Sequence, residues 1–297
     1  MKKSEAFDHS GFLDRNSPTL VNAVFADRYF WDLREKRLDK QMLHVVNSEK
    51  EFNSHYLEII EKIKGSSEYV SLFNVAYPDQ KEYSLSTYSI SDALSVYIAS
   101  LTDFDSDFDK YVRGEVHTID PAVRNGFNNF MGKAACGTCH FAPAFNGSVP
   151  PTYTESESEV LGIPFVKDTV NLILDNDLGR YGSKLAGEEA DFYKNSFKTV
   201  TVRNTKLTAP YMHNGVFDTL EEVVDFYNRG GGANMGLDLP HQTLPFDNLS
   251  LTPVEQRELV AFMNALTGDM SKFSEPDSLP SFDLNTNLNE RMIGGEY

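Results

Sequence analysis

Apolar residues recur at three- and four-residue spacing through Pro18–Asp27, Leu38–Val46, Phe52–Ile63 and Ser91–Leu101, the period of amphipathic helices. Asp120 followed by Pro121 reads as an N-cap with proline in the first helical position, and an amphipathic run continues to Met131. Thr219-x-x-Glu222 and Thr252-Pro253-Val254-Glu255 are capping boxes that open two further helices. The first is expected to run to about Arg229, before Gly230-Gly231-Gly232, and the second to about Leu266, before Gly268. Alternating two-residue patterns are sparse, and Thr199–Val202 is the best short strand. Residues 143–190, rich in Pro, Gly, Ser, Asp and Glu, read as long loops with short helices, and the polar tail after Met270 as an extended segment. No internal repeat is visible. The pattern predicts an all-α protein.

The chain has 297 residues, which at ~100–200 residues per domain suggests two domains. Hydrophobic residues make up 40% of it, with 21 Phe and 14 Tyr, enough to build a core and to exclude disorder over most of its length. Against 27 basic residues stand 44 acidic ones, a net charge of −17. Such a surface repels phosphate backbones and anionic lipid, so nucleic acid and simple membrane binding are excluded. A basic protein partner or a neutral small substrate fits it, as does a charge that serves solubility alone. No apolar run approaches the ~18–20 residues that span a bilayer, and Met1–Asp8 is charged with no apolar core of a signal peptide.

The two cysteines, Cys136 and Cys139, are too few for a disulfide framework or a four-ligand structural zinc site. They belong to Cys136-Gly137-Thr138-Cys139-His140, the C-x-x-C-H pattern of covalent c-type haem attachment. Two thiols three positions apart each add to one vinyl group, and the adjoining His140 is placed as the proximal iron ligand. A thioredoxin-type dithiol is the competing reading. It expects a βαβ context, whereas the upstream segment is helical.

The motifs around this site resemble bacterial di-haem cytochrome c peroxidases, specifically their MauG-like branch. In the C-terminal half the matching residues are Cys136–His140, Asp177-Leu-Gly-Arg180, Val202-Arg203-Asn204-Thr205, Thr208-Ala209-Pro210-Tyr211-Met212-His213-Asn214-Gly215, Thr219–Tyr227 and Leu251-Thr-Pro-Val-Glu255. In the N-terminal half they are Arg15-Asn16-Ser17-Pro18-Thr19-Leu20 and Phe30-Trp31-Asp32-Leu33-Arg34, where the family usually has Gly in place of Leu33. The resemblance implies two cytochrome c-like haem lobes: residues 1–112 as the first, peroxidatic one, 113–270 as the second, and 271–297 as a tail returning to the first. Family members carry two C-x-x-C-H motifs. By the family spacing the first would fall a few residues before Met1, so the N-terminal lobe is incomplete as written. An N-terminal truncation, which also explains the missing export signal, is favoured over a natural single-haem relative.

The resemblance also implies residue roles. His140 is the proximal ligand. Tyr227 is the distal ligand where classical peroxidases have methionine, with Met212 as its rival; an anionic oxygen donor favours ferric and higher iron, a thioether ferrous iron. Trp31 relays electrons between haems, or is a core aromatic. His9 lies near a distal histidine of the first haem, and Glu51 is the candidate acid/base carboxylate of the peroxide pocket. Asn16, Thr208 and Pro210 resemble a calcium site built on side-chain and carbonyl oxygens. Arg203 and Arg180 pair with haem propionates or form ordinary salt bridges. The implied function is a periplasmic haem c oxidoreductase that reduces hydrogen peroxide with electrons from a small redox protein or an organic donor, as a monomer or homodimer. The alternative is a single-haem electron-transfer cytochrome.

Overall fold

The structure is a computed structural model that describes residues 4–6, 11–167, 171–183, 191–243, 247–273 and 275–291. Helices dominate it. The chain divides into two compact units that interleave along the sequence. One is built around Leu38–Leu101 and the segment from Met270; the other from Leu13–Arg37 and Thr102–Asp269.

The first unit holds α1 (Leu38–Asn47), α2 (Tyr56–Lys64), α3 (Ser67–Ala76) and α4 (Thr87–Ser100). Its core is small: Val46, Tyr56 and Ile90, flanked by Leu43, Ile59, Ile60, Ile63, Phe73 and Leu85. α2 starts four residues later than the apolar spacing predicts. Residues 51–54 are bonded back to the end of α1, with Phe52 N on Val45 O at 3.4 Å and Ser54 N on Val46 O at 3.0 Å. α4 starts earlier than predicted because Ser86 and Ser89 form a reciprocal capping box. α3, capped by Ser66, has no counterpart in the sequence reading. The C-terminal segment is tied down here, with Ser66 Oγ donating to Ser281 O at 2.5 Å and Asp283 N to Gly65 O at 2.9 Å.

The second unit holds α5 (Asp107–Val112), α6 (Pro121–Met131), α7 (Leu220–Asn228), α8 (Gly231–Asn234) and α9 (Pro253–Ala265), with a two-stranded antiparallel ribbon, β1 (Ser158–Val160) and β2 (Ser196–Lys198). Asp120, Thr219 and Thr252 cap α6, α7 and α9 as predicted. α6 and α9 press together so closely that a Cβ at Gly126 would collide with the carbonyl of Glu258. Beside that crossing Phe108, Phe130, Phe145 and Phe262 pack edge to face, with centroids 5.0 to 6.5 Å apart.

Two predicted elements are corrected in this unit. Pro18–Asp27 is a run of turns, not a helix. Asn22 is left-handed (φ 63°), and its buried amide clamps Asp103, donating to its carbonyl at 2.7 Å and accepting from its N–H at 2.8 Å. Thr199–Val202 is not a strand; the strand lies just before it, at β2. The backbone groups of 199–202 are spent on separate segments: Thr199 N on Glu157 O at 3.0 Å, Thr199 O on Gly147 N at 3.1 Å, and Val202 N on Phe145 O at 3.0 Å.

Several clamps bind 13–37 to the later part of this unit. Besides Asn22, Arg15 donates to Asp177 at 2.6 and 2.8 Å, the Asp27 carboxylate accepts from Glu155 N, Ser156 N and Ser156 Oγ, and Lys198 N donates to Trp31 O at 2.7 Å. No helix of the described residues is long and apolar enough to cross a membrane.

Candidate haem site

The C-x-x-C-H segment follows α6 as a single tight turn. Cys139 N and His140 N both donate to Cys136 O, at 3.2 and 3.0 Å, which folds the two thiols and the imidazole to one side. A Cβ at Gly137 would meet Met131 Sδ at 2.6 Å, so that flexible side chain packs directly over the turn. The next residues double back, Phe141 N to Asn146 O at 2.7 Å, and present the Phe145 carbonyl to His140 Nδ1 at 3.2 Å. A carbonyl only accepts, so Nδ1 carries the proton and Nε2 keeps its lone pair, the tautomer of a metal-ligating histidine. Burial, against bonds to the carbonyls of Phe145 and Val200, takes the imidazole pKa down to about 4, so it stays neutral.

This turn forms one wall of a cavity of about 390 Å³. Cys136, Cys139, His140, Tyr227, Met212, Trp31 and His213 all line it, with an apolar remainder that includes Leu161, Ile163, Leu220, Val224, Leu259 and Met263. α7 delivers Tyr227, and α9 delivers Leu259 and Met263. Burial pushes the Cys136 thiol up to about 12, and burial with nearby Glu159 pushes Cys139 up to about 11. Burial likewise drives the Tyr227 phenol far above its usual range. An apolar chamber that offers paired thiols, a neutral imidazole and a phenol fits a porphyrin and its iron. It does not suit a thiolate-based redox dithiol, which needs its cysteines ionised.

Cys139 also approaches Glu157 and Glu159, one ligand atom from each lying within 4.8 Å of the others. Burial raises both carboxyls, Glu157 further by the charge of Glu159. Of these two carboxyls, Glu159 lines the chamber.

The other expected residues fall as follows. Trp31 donates its indole N–H to Asn16 O at 2.7 Å and meets His213 edge to face at 6.3 Å. Asn16, Thr208 and Pro210 line a shared hollow with Ser4, Ser17 and Thr19, and the Asn16 amide reaches Pro210 O at 2.6 Å. Of the two partners expected for Arg203, a haem propionate or an ordinary salt bridge, the structure shows a salt bridge to a protein carboxylate. Arg203 is 2% exposed, donates to both oxygens of Asp109 at 2.9 and 2.7 Å and to Pro143 O at 2.7 Å, and is absent from the cavity wall. Arg180 is also absent from that wall; it donates to Ser158 Oγ at 3.1 Å and stacks on Tyr193. Glu51 belongs to the other unit, half-buried in the turn after α1. His9 lies outside the described residues.

The sequence reading gave no role to two cavity residues. His213 is 2% exposed, stacks on Phe197 at 3.6 Å and holds Nε2 3.6 Å from Asp175. Lys198 is a lysine next to a strand end, with no spacing signal to single it out.

Comparison with known proteins agrees with this geometry. The model of the family described as di-haem cytochrome c peroxidase matches residues 2–117. Cytochrome-c peroxidase IdrP2 of Pseudomonas sp. (strain SCT) is 32% identical over 276 residues, 88% of this chain and 70% of the relative. Methylamine utilization protein MauG of Methylorubrum extorquens is 26% identical, over 89% of this chain and 67% of its own. Among solved structures, a MauG-like protein associated with microbial copper homeostasis shares the fold, with a TM-score of 0.78 at 24% identity, covering 92% of this chain and 81% of that one. The chain belongs to the di-haem cytochrome c peroxidase family. It is an oxidoreductase of the cytochrome c peroxidase type, in a family that works with haem c.

Proposed function

We propose that this protein reduces hydrogen peroxide with electrons from a small redox protein or an organic donor, and that the cavity beside Cys136–His140 holds its covalent haem c. The carrying observation is that both thiols, a neutral imidazole and the Tyr227 phenol share one apolar chamber in a chain of this family. Bound there, the haem supplies one-electron chemistry and access to oxidation states that no side chain reaches. Cys136 and Cys139 would tether it, and His140, oriented by the Phe145 carbonyl, would ligate through Nε2. Tyr227 would supply the second ligand; Met212, on the same cavity, is the competing donor. The apolar walls would limit the access of water to the chamber.

Trp31, fixed by its bond to Asn16 and set on the cavity wall, carries electrons to and from this haem. Glu51 moves the proton from one peroxide oxygen to the other. Asn16, Thr208 and Pro210 offer oxygen donors to calcium. Covalent haem c is attached outside the cytoplasm, which supports a periplasmic location for the protein, working as a monomer or a homodimer. A single-haem electron-transfer cytochrome is the second reading, in which the haem beside Cys136–His140 passes electrons without turning over peroxide.

Production with a periplasmic haem-attachment system, followed by a pyridine haemochrome assay, is expected to show covalent haem, and Tyr227→Phe to change the ferric visible spectrum. An unaltered spectrum removes Tyr227 as ligand. Peroxide-dependent oxidation of a reduced donor separates the enzyme from the carrier.

A further inference from the structure

We propose that Lys198 is the anchor for a carboxylate of the cavity's occupant, a porphyrin propionate, and that it seats that group beside Trp31; this rests on the haem reading above. A porphyrin of haem c type brings two carboxylates into an otherwise apolar chamber, and they need cationic or strong hydrogen-bonding partners. Arg203 is saturated by Asp109 and the Pro143 carbonyl, and neither it nor Arg180 reaches the wall. Among the described residues that line the cavity, Lys198 is the one lysine or arginine side chain.

Its own bonding is incomplete. The ammonium has three donors, and among the described residues one hydrogen bond holds it, Nζ to Arg28 O at 2.6 Å, with the Tyr29 ring 5.6 Å away. Among the described residues it makes no ion pair. The one acid acting on it, Asp27, already accepts from Glu155 N, Ser156 N and Ser156 Oγ. Burial accordingly draws the ammonium down to about 8, the behaviour of a cation in want of an anion.

Lys198 ends β2, where the ribbon pairs it with Ser158. Lys198 also donates its backbone N–H to Trp31 O at 2.7 Å, so the anchored edge and the indole are held by one residue.

The test uses holoprotein made with a haem-attachment system, as wild type, Lys198→Gln, Lys198→Met and Lys198→Arg. Haem content by pyridine haemochrome and folding by circular dichroism are measured first. The midpoint potential of the haem and its propionate bending band in resonance Raman spectra follow. Removing a cation near the haem favours the ferric state. Lys198→Gln and Lys198→Met are therefore expected to keep covalent haem, lower the midpoint potential and displace the propionate band, while Lys198→Arg keeps both near wild type. Neutral variants with full haem, unchanged potential and unchanged band would overturn the assignment. So would a wild-type band that shifts on titration with acetate, since an exchangeable anion would then occupy Lys198. Wild-type protein without haem overturns the haem reading itself, and the assignment with it, a result distinct from the other two.

Discussion

The two compact units solve the same packing problem with very different margins. The unit carrying the cysteines wraps α6, α7 and α9 around a continuous core in which Phe262 and Leu266 are completely buried, and it reserves a chamber beside that core. The unit around Leu38–Leu101 gathers a small core cluster of Val46, Tyr56 and Ile90, and α3 buries no residue along its length. Leu57, Val75 and Tyr97 there are 75%, 77% and 61% exposed. A pocket that must hold a rigid prosthetic group needs walls that do not relax, and a dense aromatic core supplies them.

Five substitutions would break or sharpen that contrast, in descending order of effect. Phe262→Ala should cost ~3–5 kcal/mol by loss of burial and cavity formation, read as a lowered denaturation midpoint. Asp109→Asn leaves the buried Arg203 guanidinium without its countercharge and should cost a comparable ~3–5 kcal/mol. Thr252→Ala and Thr219→Ala each remove a capping box and should cost ~1 kcal/mol. Val75→Ala in the other unit should change stability by less than ~0.5 kcal/mol. Equal losses at Phe262 and Val75 would erase the distinction between the units.

The Asp109–Arg203 pair also sets a pH dependence. Burial alone would raise the Asp109 carboxyl, but Arg203 and Ser106 outweigh it and hold it below the usual carboxylate range. A depressed folded-state pKa stabilises the protein above the unfolded value of ~3.9, and that contribution fades as pH falls through the folded value. Acid titration of wild type against Asp109→Asn should therefore converge below about pH 4. Curves that stay parallel there would remove the pair from the acid response.

What the sequence made legible was whatever is local. The caps at Asp120, Thr219 and Thr252 placed three helices within a residue or two, because side chain and backbone settle those ends without help from the rest of the chain. The C-x-x-C-H turn is local in the same way. The illegible features all depend on distant partners. Pro18–Asp27 has helical spacing yet yields to the Asn22–Asp103 clamp. The partner of Arg203 is hidden in the same way, since nothing in its neighbourhood announces Asp109, 94 residues away. Lys198 gains its place from the wall it joins, and no spacing rule encodes that.

Everything about the chamber turns on whether thioether bonds form at its mouth. The most direct measurement is the mass of the proteolytic peptide that contains Cys136 and Cys139, taken from protein made where haem c is attached. The expected peptide is heavier by one haem, absorbs in the Soret region and keeps that mass after acid–acetone extraction. A peptide at its bare mass, with both thiols free to alkylate, would contradict the account.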